Sequence, residues 1–164
     1  MKACDPIALA DTAIERIRDG AFLIVKAGTH RNIMTIGWAL IGIMWAKPVM
    51  TIAVRTSRHT FGIIENAADF SVSIPSGDMK SAIAFCGSTS GKDRDKFKES
   101  GLQVQEGKSV FSPVIKTPGI HFECEIVYKS PINPAALAPK FLTVYPLKDY
   151  HTLYFGEIVE CYEL

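Results

Sequence analysis

Eight residues in mid-chain carry the densest chemistry: Val54 to Phe61 reads Val-Arg-Thr-Ser-Arg-His-Thr-Phe. It brings together the guanidiniums of Arg55 and Arg58, the hydroxyls of Thr56, Ser57 and Thr60, and the imidazole of His59. That set suits a phosphate, because a planar guanidinium matches two phosphate oxygens where a lysine offers a point charge. Met50 to Ala53 before it reads as a buried strand, and a helix is expected over about 58–67 after it. Thr56 or Ser57 then falls near a helix N-terminus, where unpaired N–H groups and the positive dipole end favour an anion. The alternative is a capped surface helix whose arginines face water.

Other chemistries fail on spacing. None of the 12 glycines is separated from the next by a single residue, so the dinucleotide fingerprint G-x-G-x-x-G is absent. Cys86 to Asp93 imitates a P-loop, but Cys86 stands where its first glycine belongs and Asp93 where the magnesium-binding hydroxyl belongs. The same stretch nearly spells a nucleophile elbow, with Thr89 between Gly87 and Gly91, yet no buried strand precedes it. H-E-x-x-H is missing too. Cys4, Cys86, Cys124 and Cys161 form no C-x-x-C pair, and with His30, His59, His121 and His151 they show no paired zinc-ligand spacing, so neither a disulfide framework nor a zinc site is expected. Cys86 reads as a buried inert thiol, with a redox role as the alternative.

The elements that must position the octapeptide follow from the apolar pattern. The chain has 164 residues, 48% hydrophobic, with 18 basic and 17 acidic side chains, which fits a single domain over 1–164 and gives no overall field to recruit nucleic acid. Ile33 to Ala46 is too short to span a bilayer and reads as a buried strand pair; no signal peptide is apparent, so a cytoplasmic protein is expected. Asp5-Pro6 opens an amphipathic helix that Gly20 ends. Strands are expected at Ala21 to Lys26, Asn32 to Trp45 with a break near Gly42, Val49 to Arg55, and half-buried at Phe70 to Ile74. Ser76 to Lys108 is a polar, helical or looping excursion. Strand signal returns at Ile120 to Tyr128, with His121, Glu123, Glu125 and Lys129 on the polar face and His121 expected in solvent, and again from Leu153 to Leu164. Many strands with helices inserted argue for a mainly β antiparallel barrel. Trp38 and Trp45 read as core or interface aromatics.

In this order the motifs resemble the flavin reductase-like family of FMN-binding split barrels, which includes flavoredoxins. The matching residues are Asn32-Ile-Met-Thr-Ile-Gly-Trp38, Lys47-Pro48, Arg55-Thr-Ser-Arg-His-Thr60, Phe70-Ser-Val-Ser-Ile74, Ser90-Gly-Lys-Asp-Arg-Asp-Lys-Phe97 and His151-Thr-Leu-Tyr-Phe-Gly-Glu-Ile-Val159. The resemblance implies a split β-barrel homodimer that binds FMN in a groove at the subunit interface. Its phosphate would meet Ser57, Arg58 and Thr60, with Arg55, Thr56 and His59 close by. Its ring and ribityl chain would lie along Asn32, Met34, Thr35 and Ile36. Lys92 and Lys96 would close the site, and His151, in a polar turn where it stays solvated and titrates near neutral pH, would act at the ring's open face. Gly37 stands where relatives often carry serine. The implied activity moves electrons from NADH, NADPH or a redox protein partner to flavin, ferric iron or another acceptor. A flavoredoxin-type electron carrier without nicotinamide activity, or a non-catalytic binding barrel, are the alternatives.

Overall fold

The computed structural model describes residues 2–164. The N-terminal elements are β1 (Lys2–Ala3), α1 (Ala10–Ile17), β2 (Ala21–Ala27), β3 (His30–Ile36), β4 (Ala39–Met44), β5 (Lys47–Arg55), α2 (His59–Ile64) and β6 (Asp69–Pro75). The excursion contains α3 (Lys80–Ser88), α4 (Lys96–Ser100), β7 (Val104–Gln105) and β8 (Val114–Ile115). The chain ends with β9 (Gly119–Pro131), 3-10 turns at Pro134–Ala136 and Pro139–Val144, and β10 (His151–Glu163).

The main sheet runs β3-β2-β6-β9-β10-β5-β4, antiparallel throughout, with β1 paired to the far end of β10. Its two edge strands, β3 and β4, are consecutive in the chain and separated only by Gly37 and Trp38. Two residues span only a few ångströms. The sheet must therefore curl until its edges meet at that point, which yields a barrel left open between β3 and β4. Phe70, Val72, Phe122, Cys124 and Tyr154 fill its interior, while Phe22, Ile24 and Ile33 face outward and pack with Cys86 and Phe97 of the helical excursion.

Several expectations need correction. The break in the 32–45 segment falls at Gly37–Trp38, not near Gly42, because Gly42 sits inside a hairpin and pairs with Val49. That hairpin turns at Trp45 and Ala46, both at positive φ (52° and 58°), the requirement of a type I′ turn, but without the Asn-Gly that announces one. Nor is the strand pair buried, since Leu40, Ile43, Met44 and Trp45 are exposed. The Asp5 carboxylate accepts the Ile7 and Ala8 N–H groups in a turn, and the α-helix proper begins at Ala10.

The polar faces of β6 and β9 are covered rather than solvated. Asp69 accepts the N–H groups of Phe111 and Ser112, both at 2.9 Å, and Glu123 accepts those of Lys108 and Ser109 together with the Tyr162 hydroxyl. His121, expected in solvent, is fully buried between Ser73 Oγ and the Thr117 carbonyl. The alternation was a true strand signal. What it could not reveal is that the 105–117 segment supplies N–H donors for Asp69 and Glu123 and a carbonyl acceptor for His121, which offsets the cost of their burial.

Candidate functional site

A cleft of about 230 Å³ opens where the barrel is split. Met34, Thr35 and Ile36 of β3, Trp38 of the connection, Ala53 and Arg55 of β5, Arg58, Gly87 of α3 and His151 of β10 line it. A narrower cleft of about 100 Å³ shares Met34, Arg58 and Gly87 and adds Asn32, Ser57, His59, Thr60, Lys96 and the turn from Ser88 to Gly91. The two form a groove with an aromatic end, where Trp38 and His151 lie beside Met34, Ile36 and Ala53, and a cationic end.

The helical excursion builds the cationic end by close approach. A Cβ on Gly91 would collide with the Asn32 amide, and one on Gly87 would press on Thr35 at 3.3 Å. Asn32 Nδ2 donates to Thr60 Oγ1 (2.8 Å), and Thr35 Oγ1 donates to the Ile83 carbonyl (2.5 Å), so both side chains fasten β3 to its neighbours. Lys96, 4% exposed, donates from Nζ to the Cys86 carbonyl (2.7 Å). Burial lowers its pKa, and Arg58 lowers it further against the opposing effect of Cys86. Two cations thus share one cleft, neither with a carboxylate partner among the described residues. Bringing an anion there relieves their repulsion and offsets the cost of burying the ammonium.

The octapeptide itself divides. Arg55 donates to the carbonyls of Asp149 (3.0 Å) and Val144 (3.4 Å) and lies over the Tyr145 ring at 5.1 Å. Thr56 Oγ1, Ser57 N and Ser57 Oγ all donate to the Asp149 carboxylate, at 3.1, 3.2 and 2.5 Å. Burial raises the Asp149 pKa, but the Ser57 and Thr56 hydrogen bonds and Arg55 outweigh it, and the carboxyl is held below its ordinary value. Asp149 therefore already occupies the donors that the sequence offered to a phosphate. Arg58, His59 and Thr60 remain beside Lys96. Lys92, with His30 and Arg31, lines an adjacent basin of about 440 Å³, which shares His59 and Lys96 with the narrower cleft.

His151 is the first residue of β10, opposite Arg55 in the register, and only 9% exposed. Its Nδ1 is 2.9 Å from the Tyr145 hydroxyl, and its ring lies 4.9 Å from that of Trp38. Burial, then Arg55 and Arg58 against the opposing Asp149, push its pKa down to about 4. The expected solvated histidine titrating near neutral pH is thus corrected. Strand pairing to β5 and the turn around Tyr145 draw it out of water, and two guanidiniums disfavour the imidazolium. Trp38 and Trp45 are half exposed, so neither is a core residue within this chain. Tyr145 and Asp149 escaped the sequence reading because their partners lie 6 and about 90 residues away.

Comparison with known proteins identifies the family and the fold. The family described as the flavin reductase like domain matches residues 16–164. The chain is 31% identical over 130 residues to the uncharacterized protein YddH of Escherichia coli, covering 79% of this chain and 61% of that one. Flavoredoxin of Desulfovibrio vulgaris (Miyazaki F) superposes with a TM-score of 0.70 at 23% identity, over 88% of this chain and 69% of its own. The NADH:FAD oxidoreductase SgcE6 of Streptomyces globisporus C-1027 superposes with a TM-score of 0.69 at 16% identity, over 100% of this chain and 88% of its own. By fold and by sequence, the chain belongs to the flavin reductase-like family of FMN-binding split barrels.

Proposed function

We propose that this chain is an FMN-binding oxidoreductase, with the flavin phosphate at the cationic end of the groove and the ring at the aromatic end. The observation that carries this reading is the pairing of Arg58 with the buried Lys96 beside a ring-lined cleft, two cations that lack any anionic partner among the described residues. Arg58, His59, Thr60 and Lys96 hold the phosphate. Arg55, Thr56 and Ser57 act at one remove, fastening the Val144 to Asp149 segment that carries Tyr145 up to His151. Met34, Ile36 and Trp38 exclude water from the ring, and Asn32 and Thr35 keep β3 in place. Lys92 adds positive potential from the neighbouring basin. FMN, when bound, accepts a hydride and releases electrons singly or in pairs, so the protein needs no nucleophile of its own. NADH or NADPH is the expected donor, as in the name of the SgcE6 relative, and a redox protein is the alternative to which the flavoredoxin likeness speaks.

The assembly in this reading is a homodimer. Leu40 (69% exposed), Met44, Trp45 and Tyr128 make an apolar surface along the β4 edge and the end of β9, and a second copy is the commonest way to cover such a face. Sedimentation giving a stable monomer with tightly bound FMN would overturn it. Three buried, unpaired thiols suit a reducing cytoplasm. No described helix is long and apolar enough to cross a membrane.

The absorption spectrum of the purified protein, with identification of the flavin released on denaturation, tests the cofactor. Anaerobic addition of NADH and NADPH tests the donor. Loss of the flavin bands with either identifies a reductase, whereas a flavin that bleaches only with a reduced protein partner identifies an electron carrier.

A further inference from the structure

His151 can offer the cleft either a proton to exchange or a fixed hydrogen bond, and its surroundings decide between them. Nδ1 lies 2.9 Å from the Tyr145 hydroxyl, and both side chains are buried. A neutral imidazole carries one N–H, on either nitrogen. If it sat on Nδ1, the Tyr145 hydroxyl proton would need another acceptor. Over the Tyr145 ring lies the Arg55 guanidinium, which only donates, the Tyr150 ring packs beside it, and no other hydrogen bond among the described residues reaches this hydroxyl. Tyr145 is therefore the donor, Nδ1 the acceptor, and the N–H belongs to Nε2.

The other half of the argument is where Nε2 lies. It makes no hydrogen bond, yet no buried side-chain nitrogen or oxygen among the described residues lacks a partner. Nε2 is thus the ring atom open to the cleft that His151 lines together with Trp38, Arg55 and Arg58. The charged groups around the ring are Arg55 from β5, Arg58 from the start of α2 and Asp149 from the preceding turn; the two guanidiniums outnumber the carboxylate. Protonation of Nδ1 would also reverse the Tyr145 hydrogen bond and leave the hydroxyl proton without an acceptor among the described residues. Arg55 supports the arrangement from below, because its bonds to the Val144 and Asp149 carbonyls bracket Tyr145 in the chain.

We propose that Tyr145 is a positioning residue that locks His151 in the Nε2–H tautomer, so that the cleft is faced by a neutral hydrogen-bond donor rather than by a titrating acid–base group. Such a donor selects ligands that present a carbonyl oxygen or a ring-nitrogen lone pair beside Trp38, and it stabilises negative charge that develops there. The functional part rests on the flavin reading above; the tautomer itself does not.

The test is long-range ¹H–¹⁵N correlation of the purified protein near pH 7, with His151 assigned by the loss of its signals in His151→Gln. The expected result is a neutral Nε2–H pattern that becomes a tautomer mixture in Tyr145→Phe. A protonated ring, an Nδ1–H pattern, or a Tyr145→Phe spectrum identical to wild type overturns the proposal. Kinetics give the second readout. Wild-type flavin reduction stays flat between about pH 5 and 8, because burial, Arg55 and Arg58 hold the His151 pKa below that range, and a His151 titration inside it overturns the neutral donor. His151→Gln, which keeps an N–H donor, loses about tenfold in reduction rate, and His151→Phe about a hundredfold. Equal losses for the two overturn the donor role. If FMN fails to bind at all, the functional reading falls while the spectra still decide the tautomer.

Discussion

Changing Arg58 to Ala and Arg55 to Ala separates two arginines that the sequence presents as a pair. Arg58 has no ion-pair partner among the described residues and lines both parts of the groove, so its charge is available to a ligand. A hydrogen bond to a charged group contributes about 1.5–3 kcal/mol, and at about 1.4 kcal/mol per decade its loss raises the FMN dissociation constant roughly 10- to 150-fold. Riboflavin lacks the phosphate, so its affinity should move less than about twofold on the same reasoning. Arg55 already spends its donors on the Asp149 and Val144 carbonyls and its face on the Tyr145 ring. Arg55→Ala should therefore loosen the segment ahead of His151, lower stability by about 1–2 kcal/mol, and weaken FMN and riboflavin by similar factors. Titration of the apoprotein with each flavin, followed by fluorescence quenching, measures all four constants. A phosphate-selective loss in Arg55→Ala, or an unselective one in Arg58→Ala, would refute the division of labour.

Three further outcomes are expected. Gly156→Ala places a Cβ 2.7 Å from Cys124 Cβ and from the Phe70 ring, so overpacking should cost about 1–3 kcal/mol in urea unfolding, with flavin affinity unchanged in the protein that remains folded. Asp69→Asn leaves one acceptor oxygen for two N–H groups, those of Phe111 and Ser112; the orphaned donor should cost about 1–3 kcal/mol and speed amide exchange through 106–113. Acidification should weaken the fold in two stages. His151, pushed down to about 4, leaves the unfolded state binding more protons from about pH 6.5 downward, so stability falls over that window and levels off near 4. Asp149 and Glu65, both held low, give stability that is full above the ordinary carboxylate range and lost as pH drops through their depressed values. Urea midpoints should show His151→Gln removing part of the upper stage, to which the buried His121, also lowered, contributes, and Asp149→Asn part of the lower.

What the sequence could reveal was set by how far apart the cooperating residues lie. Strands and the excursion were legible because apolar periodicity is local, and the octapeptide was legible because its donors are contiguous. Its meaning was not, since Asp149, far along the chain, decides which donors remain free. The buried polar faces failed for the same reason: His121 read as solvated and Glu123 as polar-faced until the 105–117 segment crosses them, its N–H groups donating to Glu123 and its Thr117 carbonyl accepting from His121. The β4–β5 turn, made by Trp45 and Ala46 at positive φ, had no glycine or asparagine to mark it. The misses over the octapeptide and the buried polar faces share a cause. A donor or acceptor written in the sequence is an offer, and burial forces every offer to be matched, so the partner chosen in three dimensions determines whether a residue faces a ligand or its own chain. Applied to the groove, the rule leaves Arg58, Lys96 and His151 Nε2 as groups not exhausted by the fold, and they lie along one path from the cationic end to the aromatic end.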